Sequence, residues 1–185
     1  MRNIFEPHIL IKIQEYVSRL KERPELAIDN NVFKRKLVHN DPFFNKFHET
    51  IIALIANEVF EEDLIPSYNF LSLYKMGLGE CPIHVDRSQC YLTIDVCLQQ
   101  NEPWPIYVNS EQKYSKLEPW EISTFPKELQ DQIKKNSQEF LLNPGDAVCY
   151  SGTRHPHWRN QIQPTNYCDL IFFHFVPKDF KGELL

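Results

Sequence analysis

The stretch YNFLSLYKMGLGECPIHVDR, residues 68–87, decides the fold class, because a short-period apolar run and two metal-competent side chains occur together in it. Its first part, residues 68–74, is an aromatic-rich run with a period near two, which is typical of a strand. His84 and Asp86 follow a glycine-containing turn and lie two positions apart, so on an extended chain they point to the same face. One imidazole and one carboxylate can therefore contact the same ion, although an H-x-D pair alone is common by chance.

A second cluster, NPGDAVCYSGTRHPHWR at residues 143–159, supplies histidines roughly seventy residues further along the chain. Either His155 or His157 can join His84 and Asp86 from a different strand. Two imidazoles and one carboxylate leave three positions of an octahedral Fe(II) open, which suits a bidentate keto acid and dioxygen. The two clusters together are a stronger indication of a metal centre than the H-x-D pair alone.

The chain after residue 65 is predicted to be β-structure, because short runs rich in aromatic and β-branched residues follow one another between turns. The spacing of the turns is irregular, which favours an antiparallel sandwich or jelly roll over βαβ units. A polar stretch at about 110–139 is interpreted as an insertion in which residues 125–129 begin a short helix. The predicted strands are residues 68–74, 90–98, 105–108, 146–150 and 168–176.

Two amphipathic helices are predicted before this β-half. In the first, apolar residues recur at three- and four-residue intervals from Ile9 to Leu20, after a proline suited to a first turn. In the second, Asp41 is the expected N-cap and Pro42 the first helical residue. Both helices are expected to cover one face of a sheet, so the fold class is α+β and mainly β. The expected apolar stripe of the second helix is Phe43, Phe47, Ile51, Leu54 and Ile55.

The 185 residues, 42% of them hydrophobic, suit one domain with one sizeable core. A net charge of -5 without any run of five or six lysines and arginines argues against a nucleic-acid surface. No apolar stretch approaches the roughly 20 residues that span a bilayer, so no membrane partner is expected. The first residues also lack the features of a signal peptide, and a cytoplasmic location is therefore expected.

The five cysteines form no tight C-x-x-C pair, which indicates reduced thiols rather than a disulfide framework or a zinc ribbon. Most of these thiols are expected to be buried. Cys81 and Cys90 flank His84, however, and leave a cysteine-containing zinc site open as an alternative.

An ordered set of motifs from about residue 65 to 177 is more specific than the H-x-D pair. It comprises residues 66–74, HVDRSQC at 84–90, WP at 104–105, PGD at 144–146, HWR at 157–159 and FHFV at 173–176. In this order the set resembles small Fe(II)- and 2-oxoglutarate-dependent oxygenases related to the prolyl-hydroxylase type. The resemblance implies a double-stranded β-helix, a jelly-roll or cupin-like fold, with the metal at its open mouth. Residues 1–185 are then one domain, with helical support over 1–64 and a core over 65–177 that carries the insertion.

The resemblance also implies which residues hold the metal. Position by position, His84 and Asp86 match the first two ligands of the family, and His157 matches the distal histidine. His157 is preferred to His155 because the family pattern places Trp and Arg directly after the ligand, and because Pro156 separates the two histidines.

The anchor for the co-substrate departs from the family pattern. In many relatives, a basic residue about ten positions after the distal histidine binds the far carboxylate of 2-oxoglutarate, but here no Arg or Lys lies between Arg159 and Lys178. Arg159 is the expected substitute, because it lies two residues after His157 on the same strand face and its planar fork suits a carboxylate. Tyr74 is expected to donate a second hydrogen bond, and Arg87 is a further candidate.

The implied function is a dioxygenase that couples oxidative decarboxylation of 2-oxoglutarate to hydroxylation of a C–H bond, with release of succinate and CO2. Its partners would be Fe(II), 2-oxoglutarate, dioxygen and a small-molecule or peptide substrate, and the sequence leaves the oligomeric state open. Two alternatives remain: a cupin-like metal enzyme that does not use 2-oxoglutarate, and a catalytically silent binding module. Anaerobic addition of Fe(II) and 2-oxoglutarate tests the dioxygenase against both alternatives: if no visible charge-transfer band appears, and no succinate forms in air, the dioxygenase interpretation fails.

Overall fold

The computed structural model of the chain describes residues 1–29, 33–75, 79–111 and 126–184. It is mainly β, with two antiparallel sheets and few helices. None of the helices among the described residues is long and apolar enough to span a membrane. The helices are α1 (Pro7–Lys21), α2 (Pro42–Phe47), α3 (Ala53–Phe60) and α4 (Lys127–Lys135), and a π-helical turn (His48–Ile52) joins α2 to α3.

Within the described residues, the larger sheet has five strands in the order β1-β2-β9-β4-β7, and the smaller sheet has four in the order β3-β8-β5-β6. Every pair of neighbouring strands is antiparallel. From β2 onward the chain passes repeatedly from one sheet to the other. The strands are β1 (Lys36–His39), β2 (Leu64–Lys75), β3 (Cys81–His84), β4 (Leu92–Gln100), β5 (Ile106–Val108), β6 (Gln138–Phe140), β7 (Ala147–Tyr150), β8 (His157–Arg159) and β9 (Tyr167–Pro177).

The larger sheet buries both of its faces. On the outer face, alternate strand residues such as Leu71, Ile94 and Phe173 pack against the N-terminal helices and are fully buried. On the inner face, the register places Tyr68 beside His174, and His174 beside Thr93. Successive strand residues point to opposite faces, so the same strands build both the helix-covered core and the wall of the site.

The predicted helices are present, and Phe43, Phe47 and Ile55 of the second stripe are partly buried against the core, but Ile51 and Leu54 do not belong to the buried face. Ile51 and Leu54 are 47% and 72% exposed, whereas the buried positions recur every four residues. The π-helical turn between α2 and α3 rotates the chain less per residue than an α-helix, which keeps positions four apart on one face. The buried residues of this segment are Phe44, His48, Ile52 and Ala56.

The five predicted strands are present with shifted ends, and four short strands, β1, β3, β6 and β8, had no separate prediction. The predicted strand 90–98 begins later, since Ser88–Cys90 is a short 3-10 helix. Within the proposed insertion, α4 follows Pro126 as expected and packs Ile133 against Trp158 of the smaller sheet. Residues 76–78 of the predicted glycine turn and residues 112–125 of the insertion lie outside the described residues.

Candidate metal centre

His84 and His157 are directly opposite each other in the smaller sheet. They are register partners where β3 and β8 pair, and their ring centroids are 4.3 Å apart. Both residues are buried, at 4% exposure each. An antiparallel pair therefore brings together two imidazoles that are distant in sequence.

Asp86 completes this group from the loop after β3. Its Oδ1 lies 3.3 Å from Nε2 of His84, and its Oδ2 lies 3.7 Å from Nε2 of His157. The loop is held by a hydrogen bond of 2.8 Å from the Asp86 backbone N–H to the carbonyl of Gly152. A Cβ at Gly152 would collide with the Asp86 carboxylate and the Cys90 carbonyl, so the close approach requires glycine here.

Hydrogen bonds to the backbone orient both imidazoles. Nδ1 of His84 lies 2.7 Å from the carbonyl of Pro82, and Nδ1 of His157 lies 2.9 Å from the carbonyl of His155. A carbonyl only accepts, so each Nδ1 carries the proton and donates it. Each Nε2 is thereby turned toward Asp86, which is the arrangement that metal-binding histidines use.

The electrostatics of the group differ between the two imidazoles. Burial alone would lower the pKa of His84, but the Cys81 thiol group and the Asp86 carboxylate outweigh it and raise this pKa to about 10. Burial and the neighbouring His84 lower the pKa of His157 to about 4. Although burial opposes it, the two imidazoles hold the pKa of Asp86 well below its usual range. The group without metal thus holds one negative carboxylate and one protonated imidazole.

His155, the rival in the sequence, is not part of this group. Its ring is half-buried in the turn before β8, where its Nδ1 accepts a hydrogen bond of 3.3 Å from the backbone N–H of Ser151. Among the described residues, the donor atoms of His84, Asp86 and His157 all lie within 4.8 Å of one another.

Arg159 lies on the inner face of β8, two residues after His157, and borders the same cavity between the two sheets as His84, Asp86 and His157. Its guanidinium is already engaged, because Nη2 donates to Oδ2 of Asp95 at 2.8 Å and Nη1 donates to the carbonyl of Trp104. Side-chain exposure is 3% for Arg159 and 0% for Asp95. Burial raises the pKa of Asp95, and the adjacent guanidinium opposes this rise. Much of the Arg159 charge is therefore balanced inside the protein.

Tyr74, the second expected anchor, is buried next to another arginine that sequence reasoning missed. Nη1 of Arg35 donates to the Tyr74 hydroxyl at 3.0 Å, which leaves the phenolic proton available to a ligand. Three rings surround the Arg35 guanidinium: Phe33 at 4.4 Å, Phe70 at 5.2 Å and Tyr74 at 5.7 Å. Its closest carboxylate oxygen in an ion pair is Oδ2 of Asp29, 3.9 Å from Nε, and Nε has no hydrogen-bond acceptor among the described residues. The sequence signal that could have pointed to Arg35 is a basic residue directly before β1, but β1 is too short to be predicted.

A cavity of about 220 Å³ lies between the two sheets and includes the metal group. Both Arg35 and Arg159 border it, as does Arg87, whose guanidinium lies 5.6 Å from the ring of Tyr68. One wall is aromatic: Phe70 stacks on Phe172 at 4.7 Å, and the ring of His174 lies 4.6 Å from that of Tyr68. The cavity thus combines a metal-competent group, cationic side chains and an apolar wall, which is the usual composition of a small-molecule site.

Fold and site together define the class of the chain: a mainly β protein of two antiparallel sheets with a cluster of two histidines and one aspartate at the cavity. No protein-family model matches the sequence, and no curated protein matches it. Solved structures do match. HygX from Streptomyces hygroscopicus, with nickel and 2-oxoglutarate bound, is similar with a TM-score of 0.68 at 12% identity, over 97% of this chain and 82% of HygX.

Two further solved structures share the fold. AviO1 from Streptomyces viridochromogenes Tue57 has a TM-score of 0.68 at 14% identity, over 98% of this chain and 90% of AviO1. SnoK, described as a non-heme alpha ketoglutarate dependent carbocyclase from nogalamycin biosynthesis, has a TM-score of 0.67 at 11% identity, over 95% of this chain and 78% of SnoK. At such low identities the likeness shows a common fold.

Proposed function

We propose that this protein is an Fe(II)- and 2-oxoglutarate-dependent dioxygenase whose metal ligands are His84, Asp86 and His157. The observation that carries the proposal is the convergence of these three side chains, from two paired strands and one loop, within 4.8 Å of one another at a cavity. The comparison adds support, since HygX with the same fold has been solved with nickel and 2-oxoglutarate and also with iron.

The donor set fits Fe(II). Two neutral imidazole nitrogens and one carboxylate on one side of an ion leave the opposite positions open, which is the arrangement of non-heme Fe(II) oxygenases. Both Nδ1 atoms already donate to backbone carbonyls, so each Nε2 points inward without rearrangement, and His84 loses its Nε2 proton to solvent when the metal binds. When bound, iron with 2-oxoglutarate and dioxygen would supply the oxidising chemistry. The protein supplies the geometry, an apolar wall and the shielding from water.

We further propose that the two sheets form a double-stranded β-helix and that residues 1–185 are one domain. The support is the path of the chain: β2, β4, β7 and β9 belong to the larger sheet, and β3, β5, β6 and β8 to the smaller one. From β2 onward, consecutive strands thus alternate between the sheets, except for β5 and β6, which pair with each other in the smaller sheet. The helical support over 1–64 and the insertion at about 110–139 remain parts of this proposal.

For the far carboxylate of 2-oxoglutarate, we propose Arg159 and Tyr74, as expected, with Arg35 as an additional cation. Tyr74 receives a hydrogen bond from Arg35, and all three side chains line the cavity. The contributions of the two arginines differ, because Arg159 is paired with Asp95 at 2.8 Å whereas the Asp29 carboxylate is 3.9 Å from Arg35. The charge that attracts the carboxylate then comes mainly from Arg35.

Replacing Arg35 with glutamine is expected to raise the 2-oxoglutarate concentration for half-saturation by roughly 10- to 100-fold, since a hydrogen bond to a charged group contributes about 1.5–3 kcal/mol. Metal affinity is expected to stay unchanged, because Arg35 touches none of the three ligands. Titration of the anaerobic Fe(II) protein with 2-oxoglutarate measures the effect. Arg87→Gln is the matched control, since it removes another cavity-lining arginine; an effect confined to Arg87→Gln would place the anchor there.

The function itself is tested without knowledge of the substrate. Anaerobic addition of Fe(II) and 2-oxoglutarate is expected to produce the weak visible charge-transfer band of a 2-oxo acid chelated to Fe(II), and admission of air is expected to yield succinate. Fe(II) alone is the control and is expected to give no band. If neither the band nor succinate appears in protein that binds Fe(II), the proposal is wrong.

Hydroxylation of a small molecule or a peptide side chain is the proposed outcome. The cavity size and its aromatic wall support a small apolar moiety beside the metal. HygX has been solved with hygromycin B, which shows that a protein of this fold accepts a small molecule. Substrate-stimulated succinate release, screened over amino acids, peptides and small metabolites, identifies the compound.

A cupin-like metal enzyme that does not use 2-oxoglutarate is the second candidate. The observation that favours it is the Asp95 carboxylate, which neutralises Arg159 where the co-substrate anchor was expected. In that case Fe(II) binds with the same three ligands, but 2-oxoglutarate neither changes the spectrum nor is consumed.

A further inference from the structure

Asp86 belongs to a second group of potential metal donors. One donor atom each of Asp86, Cys90 and His174 lies within 4.8 Å of the other two. Cys90 ends the 3-10 helix that follows the Asp86 loop, and His174 comes from β9 in the larger sheet. The backbone therefore brings a carboxylate, a thiol and an imidazole together beside the proposed iron ligands.

The imidazole of His174 has an unused nitrogen. Its Nδ1 lies 3.0 Å from the hydroxyl of Thr93, whereas its Nε2 is buried and has no hydrogen-bond partner among the described residues. The side chain is 2% exposed, and an unsatisfied polar atom at such a depth is unfavourable. In the tautomer whose Nδ1–H donates to Thr93, the Nε2 lone pair is available as a ligand.

The thiol of Cys90 is also buried, at 2% exposure, and its Sγ lies 3.0 Å from the hydroxyl of Tyr68. A donor set of one sulfur, one nitrogen and one oxygen is softer than the set of two nitrogens and one carboxylate at the proposed iron site. Sets that contain a thiolate select Zn²⁺ and similar cations over Fe(II).

We propose that Asp86, Cys90 and His174 form a second cation site, which binds a thiophilic divalent ion such as Zn²⁺. On binding, the Cys90 thiol loses its proton to solvent and its sulfur coordinates the ion. Since Asp86 is common to both groups, an ion at this site withdraws the carboxylate from His84 and His157. Zn²⁺ is then an inhibitor that competes with iron, a consequence that rests on the proposed function, whereas the site itself does not.

The test uses Co²⁺, whose thiolate complexes have an intense near-ultraviolet charge-transfer band, in a His157→Ala background. This background breaks the proposed iron site and leaves all three second-site donors intact, so the result is independent of oxygenase activity. We expect the band in His157→Ala protein and in its Cys81→Ser double variant, because Cys81 is the thiol near His84 that is not in the group. The Cys90→Ser double variant is expected to lose the band.

Zn²⁺ affinity, measured by equilibrium dialysis, is expected to fall roughly a hundredfold or more in the Cys90→Ser and His174→Gln double variants, because even outer partners of a metal site contribute about 10- to 100-fold. If the Cys90→Ser double variant does not fold, the Zn²⁺ affinity of the His174→Gln double variant tests the proposed site instead. Absence of the band in the His157→Ala protein overturns the proposal. So does a band that persists after Cys90→Ser, since the sulfur would then come from another residue.

Discussion

His157→Ala protein is expected to bind Fe(II) at least about a hundredfold more weakly than the wild type, because loss of a direct ligand exceeds the 10- to 100-fold effect of outer partners. His157 is the only one of the three proposed ligands that β8 contributes, and its Nε2 is 3.7 Å from the Asp86 carboxylate. Without His157, the ion keeps only two of its three proposed protein ligands, His84 and Asp86. Equilibrium dialysis with Fe(II) under anaerobic conditions measures the change.

His155→Ala is the matched control for this prediction. The two histidines are separated only by Pro156, yet His155 bonds to the backbone of Ser151 and lies outside the donor group. Its replacement is therefore expected to leave Fe(II) affinity within a factor of about three. Equal losses in both variants, or a loss in His155→Ala alone, would contradict the assignment of His157.

Arg159→Ala protein is expected to lose about 3–5 kcal/mol of its free energy of unfolding, which is the usual effect of leaving a buried charge without its partner. Asp95 is fully buried, its Oδ2 accepts from Arg159 at 2.8 Å, and its Oδ1 has no hydrogen-bond partner among the described residues. Removing the guanidinium also leaves the carbonyl of Trp104 without this donor. Urea denaturation followed by circular dichroism measures the loss.

Two controls accompany Arg159→Ala. The double variant Arg159→Met with Asp95→Leu removes both charges and is expected to recover most of the stability, because well-packed apolar residues replace buried ion pairs at little cost. Arg35→Gln protein is expected to unfold within about 1 kcal/mol of the wild type, since its closest ion-pair contact is 3.9 Å long. If Arg159→Ala protein has the same free energy of unfolding as the wild type, the Arg159–Asp95 pair does not stabilise the fold. Arg159 would then act only in binding the co-substrate.

The β-half of the chain and the candidate ligands were predictable from sequence. Long strands such as β2, β4 and β9 carry their own period and composition. The H-x-D spacing predicts that His84 and Asp86 share one side of an extended chain, whereas in the structure β3 ends at His84 and Asp86 reaches the group from the following loop. A mainly β fold with helices over one sheet followed from the same patterns. Short strands of three or four residues, such as β1, β3 and β8, have too few residues to show a period, so they had no prediction of their own.

By itself, the sequence determined which side chains can bind a metal, namely the H-x-D pair and a histidine followed by Trp-Arg. It also showed that no basic residue lies between Arg159 and Lys178, where many relatives have one. Only the tertiary structure decided how they are used, because pairing and burial depend on contacts between distant segments. It paired His84 with His157 across two strands, balanced Arg159 with Asp95, and brought Arg35 to the cavity. Such residues lie roughly 60 or 70 positions apart and interact only once the sheets have formed. Their pairing therefore leaves no pattern in the local sequence.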